Sequence, residues 1–517
     1  MRTINTYTKK GFIIMFTKVF IQGMVLFVYL CLMIFIGFKF YKKDSSNAEY
    51  VLGDRSMNIW VTSMSAQASD MSGWLLMGLP GLAYLMGAGF TEAAWTAIGL
   101  AIGTYLNWLI VAKPLRKYTQ KAGNSITLPD FFQNRFKAKS NVLRVFSALF
   151  ILIFFAVYTS SMFAAGAKLF NFVFHLDYFP ALILSVFVVT VYTFLGGFKA
   201  VCWTDLFQGI LMFIAIVFVC LTMFGKMNAM PDFSWSQLDI TFAPSSAYGI
   251  SGIIGAIAWG LGYFGQPHIL ARFMAIKSAK EVKPARIIAM VWVILSLIAA
   301  VSLGMMASRY LPTPTIPAPE PGNEEKIFMI MVQGMFPTVI AGVLLSAVLA
   351  AIMSTADSQL LVASSAFSTD IYQTLFNKNA DDKKLVSVGR ITILVIALIA
   401  FALAINPDSS VFEIVSHAWA GFGAAFGPII LCSLFWNNCN EKGALAGIIS
   451  GGAVALMWAY LPNLIWGAGN APAIFSLYEI VPGFIVSLAF IFIVSVATGG
   501  ASDEIKAEFA AVKNEKD

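Results

Sequence analysis

The segment Ala66-Gln67-Ala68-Ser69-Asp70-Met71-Ser72-Gly73-Trp74 lies inside an apolar run that extends over residues 59–85. At about 1.5 Å per helical residue, this run is long enough to cross a bilayer. A carboxylate such as Asp70 is costly at the middle of a membrane helix and is therefore usually functional. Small residues surround it, and two glycines and a proline follow at 78–81. We therefore expect the helix to open at this point.

An opened helix leaves backbone carbonyl groups free beside the carboxylate, a set of hard oxygen ligands that suits a small alkali cation. The alternative interpretation is a close-packing face on which Asp70 pairs with a neighbouring helix. A later run, 351–358, carries three hydroxyl groups and Asp357. Such hydroxyls often bond only to their own helix. Beside the carbonyl groups of Ala68 and Met71, however, they would complete a five-oxygen cation site.

The composition indicates an all-α polytopic membrane protein. Of the 517 residues, 59% are hydrophobic and only 12% are charged, compared with about 25% charged residues in soluble domains. Apolar runs predict about 13 membrane spans. They lie near 18–39, 59–84, 91–112, 143–174, 178–195, 200–224, 250–274, 286–309, 328–370, 386–404, 411–435, 443–461 and 475–498. The run at 328–370 is too long for one straight span, so we expect one tilted helix that continues into the cytoplasm.

Basic residues indicate which loops face the cytoplasm. They cluster in the loops after the first, third, seventh and ninth runs, for example Lys42, Lys43, Arg116 and Lys283. These loops lie on one side if every run spans once, and that side is the cytoplasm. The N-terminus is then outside and the C-terminus inside. Four basic residues, Arg2, Lys9, Lys10 and Lys18, would then lie outside, and a translation start at Met15 would remove three of them. The charged tail after residue 501 is predicted to be solvated.

A second interrupted helix is predicted at 251–268. This segment contains five glycines on both sides of Trp259 and Tyr263, and Pro267 lies near its end. The two aromatic residues are four positions apart and share a face. Close helix packing through glycine is the alternative explanation. Because the two interrupted spans are five apart, we predict two inverted five-helix repeats, 59–224 and 250–435.

The remaining parts are predicted as an N-terminal segment (1–17), a peripheral first helix (18–39), two peripheral last helices (443–498) and a cytoplasmic tail (499–517). No zinc-protease, nucleophile-elbow or P-loop motif is present in the sequence, so we do not expect an enzyme. A solute sensor is disfavoured because the short tail leaves no room for an output domain.

Three motifs, 68–81, 259–268 and 418–428, resemble the sodium:solute symporter family and, within it, the members that carry proline. The resemblance extends from about residue 50 to residue 483. It implies sodium-coupled secondary active symport of L-proline into the cell by alternating access. Symport of another small solute remains the alternative within this fold. The implied partners are L-proline, the sodium ion and membrane lipid, without nucleic acid, an organic cofactor or a required oligomer. The implied location is the cytoplasmic membrane of a bacterium.

The resemblance also assigns roles to residues. It implies sodium ligands at the carbonyl groups of Ala68, Met71 and Ala351 and the hydroxyl groups of Ser354 and Thr355, with Asp70 needed for high sodium affinity. It implies proline contacts at Ser72, Gly73, Tyr158, Trp259, Tyr263 and Pro267. Arg55 matches a position implicated in transport coupling, and Asp205 matches an acid that is important for sodium dependence. We further hypothesise that Asp205, Asp357 and Ser358 form a second sodium site.

Overall fold

The computed structural model describes residues 2–40, 46–87, 92–230, 233–238, 249–311, 316–467 and 470–515. Lys42 and Lys43, which support the predicted sidedness, lie outside these residues. In the described part, regular structure is helical, and the strand-like pairing is one isolated bridge between Met57 and Ile276. Ten helices of this part are long and apolar enough to cross a membrane. The prediction of an all-α membrane protein is therefore confirmed.

The helices follow one another along the chain with short connections. They are α1 (Arg2–Phe40), α2 (Asn47–Leu52), α3 (Ile59–Asp70), α4 (Leu79–Leu85), α5 (Glu92–Leu106), α6 (Ala112–Lys121), α7 (Leu128–Arg135), α8 (Val142–Phe174), α9 (Tyr178–Leu195), α10 (Phe198–Asn228), α11 (Ile250–Ala258), α12 (Pro267–Ala275), α13 (Val282–Tyr310), α14 (Ile327–Met335), α15 (Thr338–Ser365), α16 (Asp382–Leu403), α17 (Val411–Phe435), α18 (Glu441–Trp466), α19 (Ile480–Ala497) and α20 (Asp503–Asn514). Wider π-helical turns occupy Trp74–Gly78, Asn107–Val111 and Ala366–Phe376, and a 3₁₀ helix occupies Trp259–Gly265.

The centre of the bundle is formed by α15 and α17. In their most apolar stretches, 83% and 89% of the residues are buried, whereas only 22% are buried in α1. Exposed side chains on the outer helices, such as Phe35 and Leu398, are large and apolar. Such a surface faces lipid rather than water. The central helices α15 and α17 are therefore the ones shielded from lipid, and the polar residues of α15 need partners inside the protein.

The first predicted interruption is present directly after Asp70. Met71 has φ −76° and ψ 71°, which is not helical, and α3 ends there. In a continuous helix the amide of Ser72 would donate to the carbonyl oxygen of Ala68. Here it donates to the carbonyl oxygen of Asp70 at 2.8 Å instead. The carbonyl group of Ala68 is thereby released from the helical ladder.

The second predicted interruption lies between α11 and α12, where the 3₁₀ helix Trp259–Gly265 is followed by Gln266 and Pro267. Glycine has a packing role here as well. A Cβ atom added to Gly103 of α5 would lie 2.3 Å from the carbonyl oxygen of Gly260, and one added to Gly260 would lie 2.3 Å from that of Gly99. The two backbones therefore touch directly at this crossing. Helix opening and glycine-mediated packing, the two readings of this segment, are both observed.

The apolar run at 328–370 is not one helix, and this expectation was wrong. Helix α14 ends at Met335, Phe336 is extended with φ −120° and ψ 150°, and α15 begins after Pro337. The residue before a proline is disfavoured in the helical region, and proline itself lacks the N–H that the helix would need. The central helix α15 therefore starts at residue 338.

The C-terminal tail is also not simply solvated. Its helix α20 buries Ile505 and Val512, and the ring of Phe509 lies 6.4 Å from that of Tyr118. These apolar residues are spaced at i, i+4 and i+7, which places them on one face. The high charge of the tail concealed this amphipathic pattern. The helix therefore docks on α6 instead of extending into solvent.

Candidate functional site

A hydrogen bond joins the two interruptions. The hydroxyl group of Tyr263 donates to the Oδ2 atom of Asp70 at 2.6 Å. Both residues are buried, and the Oδ1 atom of Asp70 has no hydrogen-bond partner among the described residues. A buried carboxylate oxygen without a donor is strongly destabilised unless a cation or another group approaches it. The geometry therefore favours a cationic partner at this point.

Four oxygen atoms from α3 and α15 converge beside the first interruption. The Oγ atom of Ser354 lies 2.8 Å from the carbonyl oxygen of Ala68 and 3.3 Å from that of Ala351. The Oγ1 atom of Thr355 lies 3.4 Å from the same oxygen of Ala68. The hydroxyl groups predicted to lie beside the carbonyl group of Ala68 are therefore in contact with it. Because hydroxyl groups rotate freely, they can turn their lone pairs towards an ion.

Met71 lies at the end of α3, in the non-helical conformation that frees the carbonyl group of Ala68. Its amide donates to the carbonyl oxygen of Gln67 at 2.8 Å. Ser72 and Gly73 follow in the interruption, and the Oγ atom of Ser72 accepts a hydrogen bond from the amide of Trp74 at 3.4 Å. A Cβ atom on Gly73 would lie 3.2 Å from that of Ala165. The backbone at this interruption is thus packed closely against α8.

Aromatic side chains surround the second interruption. The ring of Trp259 lies 5.1 Å from that of Phe412, 5.3 Å from that of Tyr478 and 6.3 Å from that of Trp74. The indole N–H of Trp419 donates to the carbonyl oxygen of Trp259 at 2.8 Å. Sequence reasoning missed the roles of Phe412, Trp419 and Tyr478, which lie far away along the chain. The quoted motif 418–428 contained Trp419, but no periodicity linked it to Trp259.

Tyr158 and Pro267 both lie near a buried histidine, His268. Pro267 begins α12, and His268 follows it. The ring of Tyr158 lies 6.3 Å from the ring of His268 in an edge-on arrangement. The hydroxyl group of Tyr158 is buried without a hydrogen-bond partner among the described residues. It is therefore available to a bound polar group.

A buried network contains an arginine that sequence reasoning missed. The Nε atom of Arg272 donates to Ser65 at 3.0 Å, and its Nη2 atom lies 3.3 Å from the Oδ2 atom of Asp205. The same Nη2 atom donates to the hydroxyl group of Ser358, while Ser65 donates to Asp205 at 2.6 Å. Arg272 is fully buried. It lies near the end of the predicted span 250–274, where a basic residue attracts no attention in the sequence.

Asp357 stands next to this network. It is fully buried, and neither of its carboxylate oxygens has a hydrogen-bond partner among the described residues. Ser358, the next residue, accepts from Arg272. The structure therefore brings Asp205 and Ser358 together through Arg272 and leaves the carboxylate of Asp357 available to a further cation.

Arg55 lies apart from these sites, where α3 begins and α12 ends. Its guanidinium group donates to the carbonyl oxygens of Met274 and Ser125, each at 2.7 Å. It also donates to the side chains of Thr119 and Asn124, each at 3.1 Å. Burial, with a contribution from Arg116, lowers the pKa of Arg55 to about 10, so the group stays charged near neutral pH. We call these four bonds the Arg55 clamp.

The backbone that carries the Arg55 clamp has an unusual conformation. Gly53, Asp54 and Arg55 have φ values of 62°, 53° and 51°, so three consecutive residues are left-handed. Residues other than glycine adopt this region rarely and at a cost. The turn is therefore held by its surroundings and not by its own preference.

An ion pair lies near the opposite end of the bundle, on α8. The Nζ atom of Lys168 lies 2.5 Å from Glu325, and it also donates to the carbonyl oxygen of Ser409 at 2.9 Å. The other carboxylate oxygen of Glu325 accepts from Ser410 and from the amide of Phe412, each at 3.0 Å. These bonds join α8, the segment before α14 and the start of α17, at the end opposite to the Arg55 clamp.

Comparisons with a family model and with individual proteins agree on the family to which the chain is similar. A model of the sodium:solute symporter family matches residues 50–451. The chain is 44% identical over 481 residues to a protein of Bacillus subtilis (strain 168) named high-affinity proline transporter PutP, covering 92% of this chain and 98% of that protein. It is 44% identical over 478 residues to a sodium/proline symporter of Staphylococcus aureus (strain JH9), covering 91% of each.

Solved structures show the same fold. The chain resembles a Na⁺-coupled sialic acid symporter with a TM-score of 0.75 and 20% sequence identity, covering 93% of this chain and 99% of that one. It also resembles Mhp1, a nucleobase-cation-symport-1 family transporter, with a TM-score of 0.52 and 14% identity, covering 91% and 99%. At sequence identities this low, the similarity shows a shared fold, that is, the same arrangement of helices.

Proposed function

The chain belongs to the sodium:solute symporter family, and we propose that it moves L-proline into the cell together with sodium by alternating access. Both relatives, 44% identical along nearly the whole chain, carry names that specify proline, and the name of the second also specifies sodium. The energy for uptake comes from the sodium gradient. The observation that carries the proposal is the bond between Asp70 and Tyr263, because it joins the two interrupted helices beside the converging oxygens.

The proposed sodium ligands are the carbonyl oxygens of Ala68, Met71 and Ala351 and the hydroxyl oxygens of Ser354 and Thr355. The short distances among four of these oxygens support this set. Asp70 supplies the negative charge that an otherwise neutral oxygen cage lacks. Sodium held here joins α3 to α15 and fixes the first interruption in its open form.

The proposed proline site lies between the two interruptions. Its contacts are Ser72, Gly73, Tyr158, Trp259, Tyr263 and Pro267. Proline is a zwitterion with a compact apolar ring, so its carboxylate suits the exposed backbone N–H groups of an interrupted helix. The aromatic faces supply apolar area and attract the ammonium group. Because sodium orders the interruption that proline contacts, each ligand increases the affinity for the other.

We also propose a second sodium site formed by Asp205, Asp357 and Ser358. The unpaired carboxylate of Asp357 supports it. Arg272 already bonds to Asp205 and Ser358, so a second ion would enter on the side of Asp357. Arg55 is proposed to act in coupling through its clamp, at a distance from both ion sites.

Replacing Asp357 with asparagine should lower the sodium Hill coefficient of proline uptake, since the second site loses its unpaired charge. Uptake at saturating proline, measured over a series of sodium concentrations, gives this coefficient. Asp408→Asn, which changes an exposed aspartate, is the matched control and should leave it unchanged. An unchanged coefficient in the Asp357 variant would eliminate the second site.

In the membrane, we propose 13 spans with two inverted repeats at 59–224 and 250–435. The first helix and the last two helices, 18–39 and 443–498, are peripheral. Ten long apolar helices and three shorter ones, at Trp74–Leu85, Tyr178–Phe194 and Ile250–Gly265, support this count. We propose that the C-terminus lies in the cytoplasm and the N-terminus outside, in the cytoplasmic membrane of a bacterium, because basic residues favour the cytoplasmic side. The function requires no oligomer and no organic cofactor.

Uptake of radiolabelled L-proline into proteoliposomes tests the proposed function directly. An inward sodium gradient should drive accumulation above equilibrium, and an equal potassium gradient should not. Unlabelled glycine, alanine and lactate serve as competitors for the solute specificity. If proline binds but does not accumulate, the protein is a sensor. If another solute accumulates in its place, the assignment of proline is wrong.

A further inference from the structure

A histidine near the beginning of α17 bonds to the glutamate that directly precedes α19. The Nδ1 atom of His417 lies 2.6 Å from the Oε1 atom of Glu479. The histidine side chain is 26% exposed and the glutamate side chain 10%. His417 lies about 9 Å from the beginning of α17, and this helix of 25 residues, at about 37 Å, is longer than a hydrocarbon core of about 30 Å. The imidazole is therefore close to the membrane surface, where protons can reach it.

The titratable groups around the imidazole of His417 come from three elements. Glu413, which is exposed, lies one turn earlier on α17. The ring of Tyr460 on α18 lies 5.4 Å away, and Glu479 approaches from the segment before α19. A charged imidazole thus meets two carboxylates, whereas a neutral one keeps only a hydrogen bond. Because charge-assisted hydrogen bonds are about twice as strong as neutral ones, the link between α17 and α19 depends on the protonation of His417.

A second bond between the same two segments positions a tyrosine. The hydroxyl group of Tyr478, the residue before Glu479, donates to the carbonyl oxygen of Ser416 at 2.7 Å. Ser416 in turn directly precedes His417. We call the pair His417–Glu479 and the bond Tyr478–Ser416 the α17–α19 brace. Because the residues are adjacent, loosening the ion pair also loosens the hold on Tyr478.

Tyr478 stacks on a residue of the proposed proline site. Its ring lies 5.3 Å from that of Trp259, with 21° between the two planes. On the side of α11 it has little room, since a Cβ atom on Gly255 would lie 3.2 Å from the Cβ atom of Tyr478. The carbonyl group of Trp259 is held separately, by the indole N–H of Trp419 at 2.8 Å. Tyr478 therefore fixes the plane of the Trp259 ring, whereas Trp419 fixes its backbone.

We propose that His417 is a positioning residue of the proline site and that it makes the binding of proline depend on pH. Protonated His417 holds the segment before α19 against α17, so that Tyr478 keeps the ring of Trp259 in place. When the imidazole loses its proton, the brace weakens, Trp259 becomes less ordered and proline binds more weakly. The inference rests on the proposed function, because it requires that Trp259 contacts proline. It gives α19, which lies outside the predicted repeats, a part in solute binding.

Equilibrium binding of radiolabelled L-proline to the purified full-length protein, at saturating sodium and at pH 5.5 and 8.5, tests the proposal. His417→Gln retains a hydrogen-bonding side chain that cannot become charged. Wild-type affinity should exceed that of the variant by about fivefold at pH 5.5, where the charge-assisted bond is present. At pH 8.5 the two affinities should differ by less than about twofold. The same ratio at both pH values would overturn the proposal.

Two further variants separate His417 from other titrating groups. His417→Lys keeps a positive charge at both pH values on a long, flexible side chain. It should therefore match the wild type at pH 5.5 and bind proline about fivefold more tightly than the wild type at pH 8.5. His175→Asn changes an exposed histidine with φ 54°, a conformation that asparagine tolerates, and should keep the wild-type pH response. Loss of the response in this control would overturn the assignment to His417.

A variant of Tyr478 tests whether His417 acts through this ring. Tyr478→Leu removes the aromatic neighbour of Trp259, so the affinity for proline should fall by about fivefold at both pH values. In this background, His417→Gln should lower the affinity by less than about twofold. Independent, multiplied effects of the two changes would show that His417 does not position Tyr478. Thermal unfolding of each variant within a few degrees of the wild type confirms that the proteins compared are folded.

The binding assay also distinguishes this inference from the function on which it rests. If the wild-type protein binds no proline at either pH, the proposed function is wrong, and the role of His417 fails with it. If the wild type binds proline in a sodium-dependent manner but His417→Gln and His417→Lys bind it equally well at both pH values, only the role of His417 is wrong.

Discussion

Replacing Asp70 with asparagine should abolish the accumulation of proline at ordinary sodium concentrations. Asparagine keeps the shape and still accepts the hydrogen bond from Tyr263, so the change removes the charge alone. We expect the apparent sodium affinity to fall by roughly a hundredfold, because a unit charge about 4 Å from an ion contributes up to about 4 kcal/mol at an effective dielectric constant near 20. Uptake into proteoliposomes over a sodium series from 1 to 500 mM measures the change.

Tyr263→Phe is the matched control for the Asp70 variant. It removes the hydroxyl group that bonds to Asp70 and retains both the aromatic ring and the carboxylate. We therefore expect its sodium affinity to change much less than that of Asp70→Asn, whereas its affinity for proline falls. If Asp70→Asn retains the sodium dependence of the wild type, the cation site beside α3 is wrongly assigned.

Gly103→Ala should destabilise the protein and reduce transport to less than about a tenth. The new Cβ atom would meet the backbone of the second interruption, at 2.3 Å from the carbonyl oxygen and 2.4 Å from the Cα atom of Gly260. Overpacking typically costs about 1 to 3 kcal/mol, and here no flexible side chain can move aside. Thermal unfolding in detergent should shift downward by several degrees, and the initial rate of proline uptake gives the second readout.

Gly225→Ala controls for the change in helix propensity. Gly225 lies within α10, and an added Cβ atom would have no atom within 4 Å. Alanine favours the helix by about 0.5 to 1 kcal/mol at such a position, so this variant should be as stable as the wild type or more so. Normal stability and transport in Gly103→Ala would mean that α5 does not touch the interrupted helix.

The positions of both interruptions could be predicted because their causes are local. Asp70 lies among serine and glycine within an apolar run, and glycines with Pro267 mark the second site. The hydroxyl groups of Ser354 and Thr355 also stood out by composition. Their approach to the carbonyl group of Ala68 was first a hypothesis about a cation site and was then implied by the resemblance, because periodicity gives no contact between separate helices. The bond between Asp70 and Tyr263 was not foreseen, because a single sequence gives no distance between separate helices.

The features that sequence reasoning missed depend on tertiary packing. Arg272 ends an apolar run, a position where arginine usually reaches water, but α3, α10 and α15 bury it. The break at Pro337 was hidden by apolar residues on both sides. The restriction that proline places on the conformation of the preceding residue could have predicted this break. The docking of α20 was concealed by its charge, although Ile505, Phe509 and Val512 lie on one face.

The Arg55 clamp stabilises the folded state at this end of the bundle, whereas the left-handed turn that carries it destabilises the folded state. Four hydrogen bonds hold the beginning of α3 against the end of α12. The two non-glycine residues of the turn each store about 1 to 3 kcal/mol of backbone strain. Releasing the clamp allows this strain to relax, and that relaxation offsets part of the lost bonding. If this end of the bundle opens, the strain released in the turn would make the opening cost less free energy than the four hydrogen bonds alone would suggest.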